Sequence, residues 1–304
     1  MIRIFFAASL FVVFLAGGAL AQGFSVALGG QEFTASPGET VSGRISVSNG
    51  SEKPTGVKVY AGDLVRDAEK TQSYQFKDEG GYESRSLIPW LTFTPDQITL
   101  DPGGSAEVLY QIEIPADESL SGSYWGVIYV SSIPSEEPLF KEDEPAEEKK
   151  PKIGIRMVFR YAVKIYVTIK GTETRGGTFK ALNVAPAKGG FDATALFENT
   201  GNVWMRPKCW LELRDATGAA VFTQEHSEQT VLPESALDFK FEVRGAPVPP
   251  GEYLLMVIAD YGGEKLVAAQ ARVNISEPPP ESESAAESSA ETEAGSSAEA
   301  EVEN

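Results

Sequence analysis

IGIRMVFRYAVKIYVTIK, residues 153–170, decides the fold. Every odd position from Ile153 to Ile169 is apolar, while the even positions include Arg156, Arg160, Lys164 and Lys170. Side chains alternate across a β-strand, so a period of two over this length reads as one long strand with an apolar and a basic face. Fully extended, eighteen residues reach roughly 60 Å at about 3.3 Å per residue, taller than one small sandwich. Part of the apolar face therefore belongs in the core of a first domain. The rest either crosses toward a second domain or stays uncovered. No Gly, Pro or Asn stands between Ile155 and Ile169 to mark a bend; two consecutive strands with an unmarked bend are the alternative.

Outward from this stretch the chain keeps the same idiom. Toward the N-terminus lie FSVAL (24–28), TVSGRISVS (40–48), GVKVYAGDLV (56–65), AEVLYQIEI (106–114) and GSYWGVIYVSSI (122–133). Toward the C-terminus lie TFKALNVA (178–185), FDATALFE (191–198), KCWLELRD (208–215), ALDFKFEV (236–243), EYLLMVIADY (252–261) and LVAAQARVNI (266–275). Almost no segment carries helical periodicity. Pro37-Gly38, Pro102-Gly103 and Pro250-Gly251 stand just before strand-like runs, as turn residues do. Many short strands with such turns predict an all-β protein of two immunoglobulin-like β-sandwich domains, over 22–170 and 171–276. The charged stretch SEEPLFKEDEPAEEKKPK (135–152), with three prolines, is either a linker or a long loop within the first domain.

Both ends read as other material. Residues 1–21 carry Arg3, an apolar run and the small-x-small triplet Ala19-Leu20-Ala21, which predicts a cleaved secretory signal peptide. The strongly apolar residues stop by Leu15, short of the ~20 that a membrane span needs. Residues 277–304 continue a segment with nine glutamates and no lysine or arginine. Self-repulsion and low hydropathy predict a disordered acidic tail, either a solubilising spacer or bait for a basic partner. The expectation is an exported bacterial protein, periplasmic or at the cell surface, without stable membrane insertion after cleavage.

Composition narrows the function classes. A formal net charge of −18 opposes nucleic-acid binding, and no basic stripe compensates it. One cysteine, Cys209, allows no intrachain disulfide, and one histidine, His226, allows no two-histidine metal motif. His226 sits in the polar stretch TQEHSEQ and reads as a surface residue; Cys209 reads as a buried, unreactive thiol. No nucleophile elbow, phosphate-binding glycine loop or calcium loop is present. The expectation is a non-enzymatic binding protein with no cofactor and no metal. Trp125 and Trp210 fall within alternating runs and read as core or inter-sheet residues. Trp90, after Pro89, and Trp204, after NTGN, are candidates for stacking on glycan.

The order of strand, charged loop and long alternating strand (GSYWGVIYVSSIP, 135–152 and 153–170) resembles the PapD-like periplasmic chaperone superfamily. The phrase ITLDPGGSAEVLYQIEIPADESLSGSYWGVIYV (98–130) is similar to the corresponding region of such chaperones, and VKIY (163–166) to the ending of their long strand. The resemblance covers roughly residues 24–170. It implies two Ig-like domains and assembly of a pilus or surface subunit by β-strand addition. It also implies a lysine, here Lys164, that helps anchor a subunit's terminal carboxylate. The family's first-strand arginine has no counterpart in GFSVALGGQEF (23–33). The second half, with FENTGNVWMRPKCWLELRDATGAAV (197–221) and VPPGEYLLMVIADYGG (248–263), resembles bacterial surface Ig-like modules and the proteins that interact with WxL surface proteins.

Two functional expectations follow. One is a chaperone-like factor that receives a protein subunit along an exposed strand edge, with Ile155, Arg156, Phe159, Arg160 and Lys164 as partner-binding residues. Arg156, Arg160 and Lys164 are spaced to share one strand face, about 13 Å between neighbours. They suit a carboxylate or acidic side chains, or else they merely solvate the outer face. The other is a structural Ig-like module of a surface or secreted assembly that binds protein or cell-wall glycan.

Overall fold

The computed structural model describes residues 24–27, 31–66, 74–81, 83–134 and 157–275. The expected leader over 1–21, the tail over 277–304, the charged loop over 135–152, and both Ile155 and Arg156 lie outside the described residues.

The first sandwich is built from β1 (Phe24–Val26), β2 (Gln31–Ala35), β3 (Thr40–Asn49), β4 (Thr55–Gly62), β5 (Leu64–Arg66), β6 (Tyr74–Phe76), β7 (Leu91–Thr94), β8 (Gln97–Leu100), β9 (Ser105–Glu113), β10 (Ser123–Ser132) and β11 (Arg160–Ile169). The second is built from β12 (Gly177–Ala187), β13 (Gly190–Asn199), β14 (Lys208–Arg214), β15 (Ala220–Glu225), β16 (Ala236–Arg244), β17 (Gly251–Asp260) and β18 (Val267–Ile275). The one helical feature among the described residues is a 3₁₀ turn at Ile88–Trp90.

Two sheets, in the orders β1-β3-β9-β7 and β2-β11-β10-β4-β8, face each other in the first unit, with β5 and β6 as a small separate hairpin. The second unit packs β12-β13-β16 against β15-β14-β17-β18. Each pair of sheets encloses its own apolar core, one around Ile45, Val108, Tyr110, Ile128 and Ile165, the other around Phe197, Leu211, Phe239 and Val257. Burial of alternate residues holds each strand in register, because a slip of one position would send its whole apolar face to solvent. In β16 the alternation is complete: Leu237, Phe239, Phe241 and Val243 are buried, while Lys240, Glu242 and Arg244 are exposed. The turn ahead of β9 places Gly103 at φ +70, where a side chain would be strained.

The twelve runs read from the sequence fall on thirteen strands, because GVKVYAGDLV is interrupted at Asp63 between β4 and β5. Five strands escaped the reading: β2, β6, β7, β8 and β15. They are three to six residues long, too short to establish a period, and β2 belongs to its sheet only through parallel pairing with β11.

A third apolar cluster joins the sandwiches. Leu64, Trp125, Val127, Tyr129 and Tyr166 of the first unit meet Leu232 of the second, with Trp204 packed against them. The indole N–H of Trp125 donates to the Leu64 carbonyl at 2.7 Å, which satisfies the one polar atom of a fully buried side chain. Beside the cluster the Ser123 amide donates to the Asn202 carbonyl at 2.9 Å, and Trp204 N donates to Ser123 Oγ at 3.3 Å. Gly122 makes this approach possible: it lies at φ +69, and a Cβ there would fall 2.2 Å from the Asn202 carbonyl oxygen.

Candidate functional site

Strand β11 is shorter than the alternation predicts. It begins at Arg160, and Met157–Phe159 precede it as non-strand residues. The reason lies in its neighbour: β10 ends at Ser132, and the paired ladder stops at Ser131 opposite Arg160. The odd residues Val163, Ile165, Val167 and Ile169 enter the first core as expected. Met157 and Phe159 stay uncovered, at 69% and 36% exposure.

The even face is not uniformly basic and solvated. Tyr166 is fully buried in the cluster between the sandwiches, because the second unit packs on that face. Arg160 bonds Asp78 at 2.6 Å and lies 4.9 Å from the centre of the Tyr129 ring. Lys164 donates to the Tyr74 hydroxyl at 2.9 Å and makes no ion pair among the described residues.

The two edges of β11 differ. Along β10 it is paired from Arg160 to Thr168. Along β2 the parallel ladder starts only at Ile165, opposite Gln31, and runs to Ile169. Among the described residues, Arg160–Lys164 therefore have a strand on one side only. This open stretch continues into the exposed Met157, Val158 and Phe159.

Next to it lies a cleft of about 570 Å³ between the sandwiches. Lys164, Tyr74 and Phe76 line it from the first unit; Arg206, Thr230 and Lys240 line it from the second. Arg206 spans the gap. Its Nη1 donates to Glu32 Oε1 of β2 at 2.7 Å, and its guanidinium lies 4.8 Å from the centre of the Trp204 ring. Trp204 in turn stacks on Tyr166, ring centroids 4.6 Å apart. Burial pushes the Tyr166 phenol well above the usual tyrosine range, an effect that the nearby Thr230 hydroxyl partly offsets, and among the described residues its hydroxyl makes no hydrogen bond of good geometry. Nothing in the sequence signals this grouping. Glu32, Arg206 and Tyr74 come from three short or irregular segments that only the docking of the two units brings together.

The tryptophan candidates fall elsewhere. Trp90 is half-buried against the first core, with its ring 4.6 Å from that of Tyr124. Trp204 is half-buried between Tyr166 and Arg206. Trp125 serves the junction between units rather than a sheet interior. Trp210 is turned to the outside of its sheet, since Cys209 and Leu211 take the inward positions, and it donates to Glu212 at 2.9 Å. His226 is half-buried rather than a plain surface residue: its ring meets Phe239 and Phe241 edge-on at 5.1 and 5.4 Å. Cys209 is buried as expected, and burial pushes its thiol up to about 12.

No protein-family model matches the sequence, nor does any curated protein. Among solved structures the chain is similar to the class 5 fimbriae chaperone CfaA, at 13% identity and TM-score 0.42, over 82% of this chain and 98% of that one. It is similar to the CsuC–CsuE chaperone–tip adhesion subunit pre-assembly complex of Acinetobacter baumannii, at 11% identity and TM-score 0.42, over 81% of this chain and 97% of that one. A third likeness is to the CupB2 chaperone of Pseudomonas aeruginosa, at 14% identity and TM-score 0.39, over 81% and 97%. At these identities and TM-scores the likenesses carry no argument about what the chain does; its description as two Ig-like β-sandwiches rests on its own strand order.

Proposed function

We propose that this chain is a non-enzymatic, exported, chaperone-like protein that receives a surface or pilus-like subunit as an added strand along the open edge of β11. The observation that carries the reading is the one-sided pairing of Arg160–Lys164, next to exposed apolar Met157 and Phe159. An unpaired edge presents backbone N–H and C=O groups that an incoming strand satisfies, while its alternate side chains find apolar cover. Phe159 supplies that cover, together with Ile155 from the stretch before it. Arg156, Arg160 and Lys164 orient the partner through charge. The resemblance read from the sequence assigns Lys164 a terminal carboxylate, and its place in the cleft at the end of the open edge suits that role.

The test separates binding from folding. Phe159→Asp and Lys164→Ala both alter groups at the open edge or the cleft, and Phe159 is already partly exposed. Both variants are expected to melt within about 3 °C of the parent, in keeping with losses below ~1 kcal/mol. Both are expected to recover at least fivefold less envelope partner in copurification. Full recovery of the partner by both variants would mean that the edge is not the binding surface and that the chain acts as a structural module.

A further inference from the structure

We propose that Glu32 is a built-in competitor for the cleft: it holds Arg206 in the free protein, and a carboxylate arriving with a partner takes its place. The inference rests on the strand-addition reading and adds to it a contact that the partner must displace.

Among the described residues, Arg206 is the lining residue of the cleft that ties the two sandwiches through an ion pair with β2. The pair is single-pronged, from Nη1 to Oε1 at 2.7 Å. The Nε of Arg206 reaches Thr230 Oγ1 at 3.4 Å, and its Nη2 makes no hydrogen bond among the described residues. A guanidinium offers a two-pronged fork to a carboxylate, and here half of that fork is unused. The side chains of Glu32 and Arg206 are 42% and 33% exposed. Ion pairs that wet are worth little, so exchange of one carboxylate for another costs little.

Position adds to this. Glu32 stands in register with Tyr166, one residue after the start of the β2–β11 ladder, where the closed edge gives way to the open one. Lys164 lines the same cleft and makes no ion pair among the described residues, only its hydrogen bond to the Tyr74 hydroxyl. The acids Glu228 and Asp238 also line it, and neither forms an ion pair with Arg206 or Lys164 among the described residues. A carboxylate at the end of an added strand therefore enters beside Lys164, whose bonded partner is the neutral Tyr74 hydroxyl, and beside Arg206, which a weak internal stand-in holds; Lys240 lines the cleft as well.

Trp204 supplies the readout, because Arg206 rests on its ring. The full chain is titrated with N-acetylphenylalanine, which carries a free carboxylate, and with its amide, while tryptophan emission is followed; Trp204→Phe identifies the reporter. The expected result is that the acid alters Trp204 emission and the amide does not. In Glu32→Gln the acid should bind about two- to fivefold more tightly, the range an exposed ion pair supports. In Arg206→Gln the preference for acid over amide should disappear. Each variant is checked by thermal melt, and the parent's acid-over-amide preference stands as a test even if a variant folds poorly. Equal or weaker acid binding in Glu32→Gln, or acid and amide indistinguishable on the parent, overturns the proposal. A chain that copurifies its partner through the β11 edge yet treats both probes alike loses this inference and keeps the strand-addition reading. A chain that gains acid affinity in Glu32→Gln but recovers partner equally well in Phe159→Asp keeps the exchange and loses the edge.

Discussion

Arg66 shows how unequal two ion pairs of one residue are. Its Nη2 and Nε bond Glu83 at 2.8 and 3.1 Å, and its Nη1 bonds Glu234 of the second sandwich at 2.6 Å. The Glu83 side chain is 4% exposed and that of Glu234 is 63% exposed. Removal of the arginine strands a buried carboxylate, and loss of one partner of a buried pair costs about 3 kcal/mol or more. Loss of Glu234 removes only a wet contact, worth below ~1 kcal/mol. Arg66→Ala is therefore expected to lower the denaturation midpoint well beyond the effect of Glu234→Ala, and Glu83→Leu in the Arg66→Ala background should restore most of it. Equal losses for the two single variants would refute the ranking. At this scale little was legible beforehand. Lys164 could be named because it sits in a periodic run. Glu32, Arg66 and Arg206 lie outside any strong pattern, and their partners are far along the chain.

The edge strand β16 and the singly paired start of β11 illustrate opposite treatments of backbone that lacks a neighbouring strand among the described residues. β16 is a sheet edge of nine residues whose outward positions carry Asp238, Lys240, Glu242 and Arg244 in alternation of sign. Charges along an edge discourage another strand from docking. The open part of β11 has only Arg160 and Lys164, both already engaged with groups of their own chain, and is preceded by bare apolar side chains. Replacement of Lys240 and Glu242 together by Val should turn β16 into an adhesive edge. Sedimentation velocity is expected to show concentration-dependent self-association that the parent lacks; a strictly monomeric double variant would show that charge is not what protects this edge. The long alternating run correctly announced the inward face of β11. It could not announce where the strand starts, because that is set by the end of β10, nor that Tyr166 faces a second core.

At the scale of the whole molecule, four ionisable groups among the described residues are buried with their pKa values raised: Cys209, Tyr110, Tyr129 and Tyr166. Burial pushes the Cys209 thiol and the Tyr129 phenol each up to about 12, and holds the Tyr110 and Tyr166 phenols higher still. A group that holds its proton more tightly when folded stabilises the fold below its unfolded pKa, and that contribution is lost as pH rises past that value. Unfolded thiols and phenols titrate near 8.5 and 10. The denaturation midpoint should therefore fall steadily from about pH 9 toward pH 12, with the part below pH 10 reduced in Cys209→Ala once its own packing loss is subtracted. A midpoint that does not change between pH 9 and 11 would contradict these burial effects.

The sequence by itself determined the class of the protein. Alternation with period two, interrupted by turn residues, is a local property, and it was enough to predict two β-sandwiches, to place most long strands and to send Val163, Ile165, Val167 and Ile169 into a core. Only the tertiary structure decided where, among the described residues, β11 is paired on both sides and where on one side alone, since that depends on how far β2 and β10 run beside it. It alone decided that Arg206 and Lys164 share a cleft and that Glu32 stands in it as a counter-charge. Those placements depend on how the two sandwiches dock through Trp125, Tyr166 and Leu232, and contacts between units leave no period in the chain.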